Sequence, residues 1–205
     1  MGIIGIYTVR YSDSKLELLY DHYKETYEIL THQIKQRDKM FVLSFIFSCV
    51  ALLFAFDPAE YRNLLFGYIY DQFSIDLSSQ FFVLQTFLWI VLLYVTLRYS
   101  QAFVNIERTY SYLDSLERKI HELSQAEFDR EGGHYARNFS LPSKYANYVY
   151  KFIFPVISVM IAVVKIISEC HISAIAHLLF VDFIICFAYI LLWIFHVIYV
   201  VKTNG

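Results

Sequence analysis

Residues Phe81–Leu97, FFVLQTFLWIVLLYVTL, form a mainly apolar run without a charged residue, close to the length at which a helix crosses a lipid bilayer. Three similar runs lie elsewhere in the 205-residue chain, at Met40–Phe56, Val149–Ser168 and Ile175–Val201. Hydrophobic residues make up 58% of the sequence and charged residues only 18%, whereas about a quarter of a typical soluble domain is charged. We therefore predict an all-α polytopic membrane protein with four transmembrane helices and long cytoplasmic helical extensions.

The uneven distribution of Lys and Arg sets the expected orientation of the four runs. Six of these residues precede the first run and seven lie between the second and third, whereas residues 57–80 contain only one and residues 169–174 contain none. Because basic residues are retained on the cytoplasmic side, we predict that both termini and the middle segment are cytoplasmic. Trp89, Trp193 and many of the Tyr residues could serve as anchors at the membrane interfaces.

Amphipathic segments continue the first two runs into the predicted cytoplasm. Apolar residues recur at intervals of three and four before the first run, and no Gly or Pro lies between Gly5 and Pro58, so we expect one helix over Ser14–Phe56. The second run continues with the same spacing. We expect the two stripes to pack on each other, or on copies of themselves, as a cytoplasmic bundle. The first stripe comprises Leu16, Leu19, Tyr20, Tyr23, Tyr27, Leu30 and Ile34, and the second comprises Phe103, Ile106, Tyr110, Leu113, Leu116, Ile120 and Leu123.

These patterns divide the chain into four segments. Residues 1–13 are a short apolar N-terminal segment, and residues 14–131 form a first membrane hairpin with its cytoplasmic extensions. Residues 132–148 are expected to be a cytoplasmic loop, and residues 149–205 a second membrane hairpin. Pro155 lies inside the third run, where it should kink the helix because proline has no N–H and clashes with the preceding turn.

Polar residues inside the apolar runs are the first candidates for function. Asp182 interrupts the fourth run, and a carboxylate in hydrocarbon is costly unless it faces a partner or water. Lys165 lies at nearly the same depth in the third run, so an ion pair between the two side chains is one possibility. The alternatives are that Lys165 snorkels alone and that Asp182 lines a cation or proton path. Four other residues suit either helix–helix contact or the lining of a pore. They are Ser44, Ser48, Gln85 and Thr86.

A second group of candidates lies in the predicted cytoplasmic loop, where cations alternate with aromatic rings. This mixture can stack bases and neutralise phosphates, as a nucleotide ligand would require. The alternative is a belt of Tyr and Lys at the lipid headgroups. The residues are His134, Tyr135, Arg137, Lys144 and Tyr145. Because the sequence contains no HExxH, GxSxG, P-loop or GxGxxG motif, we predict no enzyme, no cofactor and no metal site.

The first two runs and their extensions resemble SLATT-type small bacterial membrane effectors, and are similar in size and layout to the channel subunits of Hailong anti-phage systems. Two stretches carry the resemblance, LELLYDHYKETYEILTHQIKQRDKMFVLSFIFSCVALLF and YSQAFVNIERTYSYLDSLERKIHEL, within roughly Leu16–Leu123. The resemblance implies a pore-forming effector of the bacterial inner membrane, encoded beside nucleotide-signalling or nucleotidyltransferase genes. It carries no functional residue with it.

These observations predict a homo-oligomeric ion channel or pore, a tetramer embedded in membrane lipid. Its cytoplasmic helices would bind an oligonucleotide second messenger or a nucleotidyltransferase partner, and opening would depolarise the cell in an abortive response to phage. The alternative is a non-conducting membrane anchor or sensor that recruits a soluble partner.

Overall fold

The computed structural model describes the backbone of residues 2–56, 63–64, 67–68, 70–72, 81–124, 141–171 and 176–204. The chain is helical throughout these ranges, and no strand occurs in them. The main elements are α1 (Gly2–Phe56), α2 (Phe81–Ser124), α3 (Leu141–Tyr148), a π-helical turn (Val149–Ile153), α4 (Phe154–His171) and α5 (Ala176–Asn204). Four helical stretches are long and apolar enough to cross a membrane, which confirms the prediction of an all-α, multi-pass membrane protein.

Two predicted segment boundaries differ from the structure. The helix α1 begins at Gly2, because no helix breaker separates residues 6–13 from the predicted helix, so residues 2–13 are not a separate segment. Within the predicted loop 132–148, residues 141–148 form α3. Pro142 stands in the first turn of this helix, where a missing N–H removes no intrahelical hydrogen bond.

The chain packs into two compact units. The first, which we call the extension unit, contains residues 1–38 and 101–144. The second, which we call the membrane unit, contains residues 39–100 and 145–205. The four apolar runs therefore share one unit, and the two amphipathic stripes share the other.

The two stripes pack against each other within the extension unit, as the sequence predicts. Its buried core consists of Tyr23, Leu30, Ile106, Leu113, Leu116 and Ile120. However, Tyr20 and Tyr27 are 46% and 36% exposed, so their assignment to the stripe is wrong. The contact follows a seven-residue repeat in which Thr26 is buried, and Gln33 accepts a hydrogen bond from Thr109 at 3.1 Å. A search for regularly spaced apolar residues does not detect a polar residue at such a position.

All four spanning helices contribute to the core of the membrane unit. Its largest buried side chains are aromatic, among them Trp89, Tyr99, Tyr189 and Trp193. Trp89 and Trp193 are completely buried, which contradicts their predicted role as interfacial anchors. They fill the interior because wide aromatic rings supply most of the buried contact area in a four-helix core.

At Pro155, where the sequence predicts a kink, the structure has a π-helical turn directly before the proline. The Phe154 N–H donates to the carbonyl of Val149, five residues back, and Pro155 has no N–H to donate to the preceding turn. The Tyr99 hydroxyl on α2 donates to the Tyr150 carbonyl in this turn, at 3.0 Å. The Tyr99 hydroxyl of the neighbouring helix α2 thus donates a hydrogen bond to the turn in which Pro155 has no N–H to donate.

Candidate functional site

Among the described residues, eleven polar side chains are buried in the membrane unit, and every spanning helix contributes at least two of them. They are Ser44 and Ser48 on α1, Gln85, Thr86, Thr96 and Ser100 on α2, Lys151 in the π-helical turn, Ser158 and Lys165 on α4, and Asp182 and His196 on α5. Polar groups in the hydrocarbon region are rare, and they face a partner or water when they occur. We therefore take this polar interior as the candidate functional site.

Residue spacing arranges the polar interior in levels. Lys151, Ser158 and Lys165 are seven residues apart, and Asp182, Tyr189 and His196 are also seven apart. Seven residues are about two turns, so each set lies along one helix face with about 10 Å between levels. The order of the two sets is reversed along α4 and α5, which pairs Lys165 with Asp182 and Ser158 with Tyr189. The polar side chains therefore extend over about 20 Å, much of the thickness of a bilayer core.

The first level is a charge cluster. Lys165 Nζ donates to Asp182 Oδ2 at 2.9 Å, and Thr86 Oγ1 donates to Asp182 Oδ1 at 2.6 Å. The side chains of Lys165 and Asp182 are only 0% and 4% exposed. Lys165 Nζ also lies 6.0 Å from the centre of the Trp89 ring. The ion pair is therefore present, and the alternative of a lysine that snorkels alone is wrong, because Lys165 is enclosed.

The second level surrounds the hydroxyl of Tyr189. Ser48, Thr96, Ser158 and Trp193 lie close to this hydroxyl, yet in the described part of the chain none makes a well-oriented hydrogen bond with it. Thr96 is instead 3.2 Å from the Ser44 hydroxyl, and that pair is hydrogen-bonded. The second level thus combines one hydrogen-bonded hydroxyl pair with buried hydroxyl and indole groups that lie close to one another.

The third level is formed by Lys151 and His196, and both are buried. The His196 ring lies 5.7 Å from the ring of Tyr99 and 5.5 Å from that of Trp193. This level therefore joins the polar interior to the π-helical turn, where Tyr99 meets the Tyr150 carbonyl.

The structure brings the membrane candidates together in one unit. Ser44 and Ser48 are buried on one face, Gln85 is buried, and Thr86 binds Asp182 directly. In the predicted cytoplasmic group, Lys144 and Tyr145 are exposed on α3. The other three members, His134, Tyr135 and Arg137, lie outside the described residues.

Sequence reasoning missed Ser158 and Tyr189, the centre of the polar interior. Serine and tyrosine are common at helix contacts and membrane interfaces, so neither is conspicuous alone. The available signal was the seven-residue spacing that places each of them midway between two more polar residues. That spacing is typical of residues facing the interior of a helix bundle.

Comparison with known proteins finds no matching family model, no similar curated protein and no similar solved structure. The chemistry of the polar interior is therefore argued from its own groups. Among the described residues, its buried Lys and Asp side chains are two lysines, Lys151 and Lys165, and one aspartate, Asp182. The remaining groups are mainly hydroxyls, an amide and an imidazole, which can exchange hydrogen bonds with water or with an ion.

Proposed function

We propose that the protein is an ion channel or pore-forming effector of the bacterial inner membrane, assembled as a homo-oligomer. The observation that carries this proposal is the series of buried polar residues through the membrane unit. A helix bundle in lipid can pack with small and apolar residues alone, and burying lysine and aspartate in it costs free energy. A route for ions is a function that explains why such residues occur at three successive levels.

The proposed gate control lies in the extension unit. The helices α1 and α2 each contribute residues to both units, so they offer a covalent connection from a cytoplasmic ligand to the spans. A ligand changes the population of an open state only if it binds that state more tightly than the closed one. An oligonucleotide second messenger or a nucleotidyltransferase partner is proposed as this ligand, in line with the resemblance to SLATT-type effectors.

The polar contacts of the extension unit define one register of its two helices. Tyr23 donates to the buried Glu117 carboxylate at 3.0 Å, and Thr109 donates to Gln33 at 3.1 Å. Polar residues in a helix seam fix one register at some cost in stability. A ligand that favours another register would therefore change these hydrogen bonds together with the position of the helices.

The proposed biological role is membrane depolarisation during phage infection. It rests on the architectural resemblance. The placement of both termini in the cytoplasm rests on the distribution of Lys and Arg between the spans.

The alternative function, a non-conducting anchor or sensor, is supported by a different observation. Leu18 and Ile29 are exposed apolar residues in the extension unit. Apolar side chains in a water-exposed helix pair suit the recruitment of a soluble partner.

Electrical recording distinguishes the two functions. The full chain is reconstituted in planar bilayers, and current is measured before and after addition of short oligonucleotides. A current that responds to them supports the channel. Asp182→Asn is expected to change conductance, whereas Asp114→Asn, which alters a partly exposed carboxylate of the extension unit, serves as the matched control. A protein that stays silent and still binds oligonucleotide or a partner contradicts the channel and supports the anchor.

A further inference from the structure

The helix α1 carries a second regularly spaced stripe in the extension unit, on a face that points away from the core of the helix pair. Its members follow one another at intervals of four, three and four residues, which is also the spacing of the seam between α1 and α2. Its apolar members are exposed, Leu18 by 70% and Ile29 by 55%. Apolar side chains at the spacing of a helix seam indicate a face that another helix covers. The stripe consists of Leu18, His22, Glu25 and Ile29.

Contacts of His22 join this stripe to α2. The His22 ring is hydrogen-bonded to the Tyr112 hydroxyl at 2.8 Å, and the two rings meet edge to face with 5.9 Å between their centres. Tyr112 is 44% exposed. Lys119, which follows it by seven residues or about two turns, lies on the same side of α2 and is also exposed. We call the surface made of the α1 stripe, Tyr112 and Lys119 the outer face.

The register of the helix pair fixes the level of each residue of the outer face. Two hydrogen bonds connect α1 to α2, which run in opposite directions. Counted from either bond at about 1.5 Å per residue, Ile29 is level with Tyr112 to within one residue. By the same count, Glu25 is about 3–6 Å from Lys119 along the helix axis. The two bonds are those of Tyr23 with Glu117 and of Thr109 with Gln33.

Symmetry carries these levels over to a second copy of the chain. Two copies inserted in one membrane have the same orientation, and a two-fold axis parallel to their helix pairs places α1 of one copy beside α2 of the other. The result is a four-helix bundle with antiparallel neighbours. Such an axis does not shift residues along the helices, so Ile29 faces the partner's Tyr112. Glu25 then lies within reach of the partner's Lys119, and each contact occurs twice.

The charges of the outer face favour this arrangement over the other symmetric one. A direct contact between the α1 stripes of two copies would place the two Glu25 carboxylates opposite each other. Packing of α1 on the partner's α2 instead brings each Glu25 to the partner's Lys119, which has the opposite charge. Matching charges select the partner and the register of a helix contact. The outer face therefore has the pattern of a surface that is complementary to itself.

We propose that a second copy of this chain covers the outer face, with Ile29 packed on the partner's Tyr112 and Glu25 paired with the partner's Lys119. Leu18 extends the apolar part of the contact along α1. The proposal rests on the proposed function in one respect, because it names a contact through which the homo-oligomer assembles. It requires neither conduction nor a nucleotide ligand.

Disulfide formation between two differently tagged full chains tests the contact. One chain carries Ile29→Cys and the other Tyr112→Cys, both with the three native cysteines replaced by Ala, and the two are produced together in one membrane. Because each chain has a single thiol, a disulfide that joins both tags can form only between copies. We expect mild oxidation to produce this mixed disulfide. Glu28→Cys is the control for Ile29→Cys, because it is exposed on α1 but turned about 100° away.

Reversal of the charges tests the pairing. Glu25→Lys or Lys119→Glu, introduced into both tagged chains, should slow the formation of the mixed disulfide about tenfold, because two exposed ion pairs become repulsive. Combining Glu25→Lys with Lys119→Glu restores opposite charges and should restore the rate. Glu28→Lys, which reverses a charge outside the outer face, should leave the rate unchanged. Recovery by the double replacement also establishes that the slow single variants are folded.

The outcomes separate this contact from the proposed function. A mixed-disulfide yield no higher than that of the Glu28→Cys control overturns the contact, as does a double replacement that is as slow as either single one. Disulfides from these positions to a different protein, with none between copies, also overturn it and support the anchor. If the mixed disulfide forms while planar bilayers stay silent, the contact stands and the channel fails. If current responds to oligonucleotides although no mixed disulfide forms, the channel stands and the contact fails.

Discussion

Lys165 and Asp182 form an ion pair across the α4–α5 hairpin, with 2.9 Å between Nζ and Oδ2 and almost no exposure of either side chain. The pair ties two neighbouring spans together at one depth, and Thr86 adds a donor from α2. Neither charge can be solvated if its partner is lost. The pair is therefore sensitive to single substitutions and much less sensitive to removal of both charges.

The first prediction concerns this difference. Asp182→Asn should destabilise the membrane unit by about 3–5 kcal/mol, because it takes the carboxylate away from the Lys165 ammonium, which is completely buried. The double variant Lys165→Met with Asp182→Leu should recover most of that loss, because no charge then remains to be desolvated. Unfolding of the single and the double variant in detergent mixtures of increasing denaturing strength measures both changes in free energy.

A surface pair of the same chain provides the control. Asp114→Asn breaks the ion pair with Arg118, whose side chain is 72% exposed, and should cost no more than about 1 kcal/mol. If Asp182→Asn is as mild as this control, the loss of one partner of the intramembrane pair does not carry the predicted desolvation cost.

A second prediction tests whether Tyr99 compensates for Pro155. Tyr99→Phe removes the donor to the Tyr150 carbonyl and should cost about 1–3 kcal/mol, because a buried acceptor loses a hydrogen bond. In a Pro155→Ala background the backbone regains an N–H that can serve the preceding turn. Tyr99→Phe should then cost distinctly less, and a double-mutant cycle on thermal unfolding measures the coupling. Additive effects would show that the hydroxyl and the proline are independent.

A third prediction concerns the extension unit, where Tyr23 donates to the Glu117 carboxylate. Tyr23→Phe takes one donor from a buried charge and should lower the unfolding free energy by about 1.5–3 kcal/mol. Tyr112→Phe removes the hydrogen bond between Tyr112 and His22, which is exposed to solvent. This variant should change the unfolding free energy by less than about 0.5 kcal/mol. Hydrogen exchange of the amides of α1 and α2 localises the change to the extension unit, and equal effects of the two variants would contradict it.

The parts of the fold that follow from the sequence are those set by local properties. Hydropathy and helix period are evaluated within a window of about 20 residues. The spans and the pairing of the two stripes could therefore be predicted from the sequence. The pairing of Lys165 with Asp182 was accessible too, because depth in the membrane can be counted from the helix ends. Tyr20 and Tyr27 were misassigned because the seam follows a seven-residue repeat that tolerates Thr26.

The parts that do not follow depend on the rotation of each helix about its axis. Tyr189 and Ser158 meet only because α4 and α5 turn those faces toward each other, and packing of several helices sets that rotation. For the same reason, Trp89 and Trp193 occupy the core, although their residue type is typical of the interface. The sites that sequence reasoning missed are therefore those whose members are ordinary residues made unusual by their surroundings.

The last prediction concerns orientation in the membrane. Basic residues accumulate before the first span and between the second and third, and residues 57–80 contain a single one. Because such residues stay in the cytoplasm, Asn63→Cys should react from outside intact cells with a membrane-impermeant maleimide. Lys24→Cys, in the extension unit, should react only after the membrane is permeabilised. Both variants are made in a background with Cys49, Cys170 and Cys186 replaced by Ala, so that each chain has one thiol. Labelling of both positions from the same side would contradict the four-span topology and the placement of the extension unit in the cytoplasm.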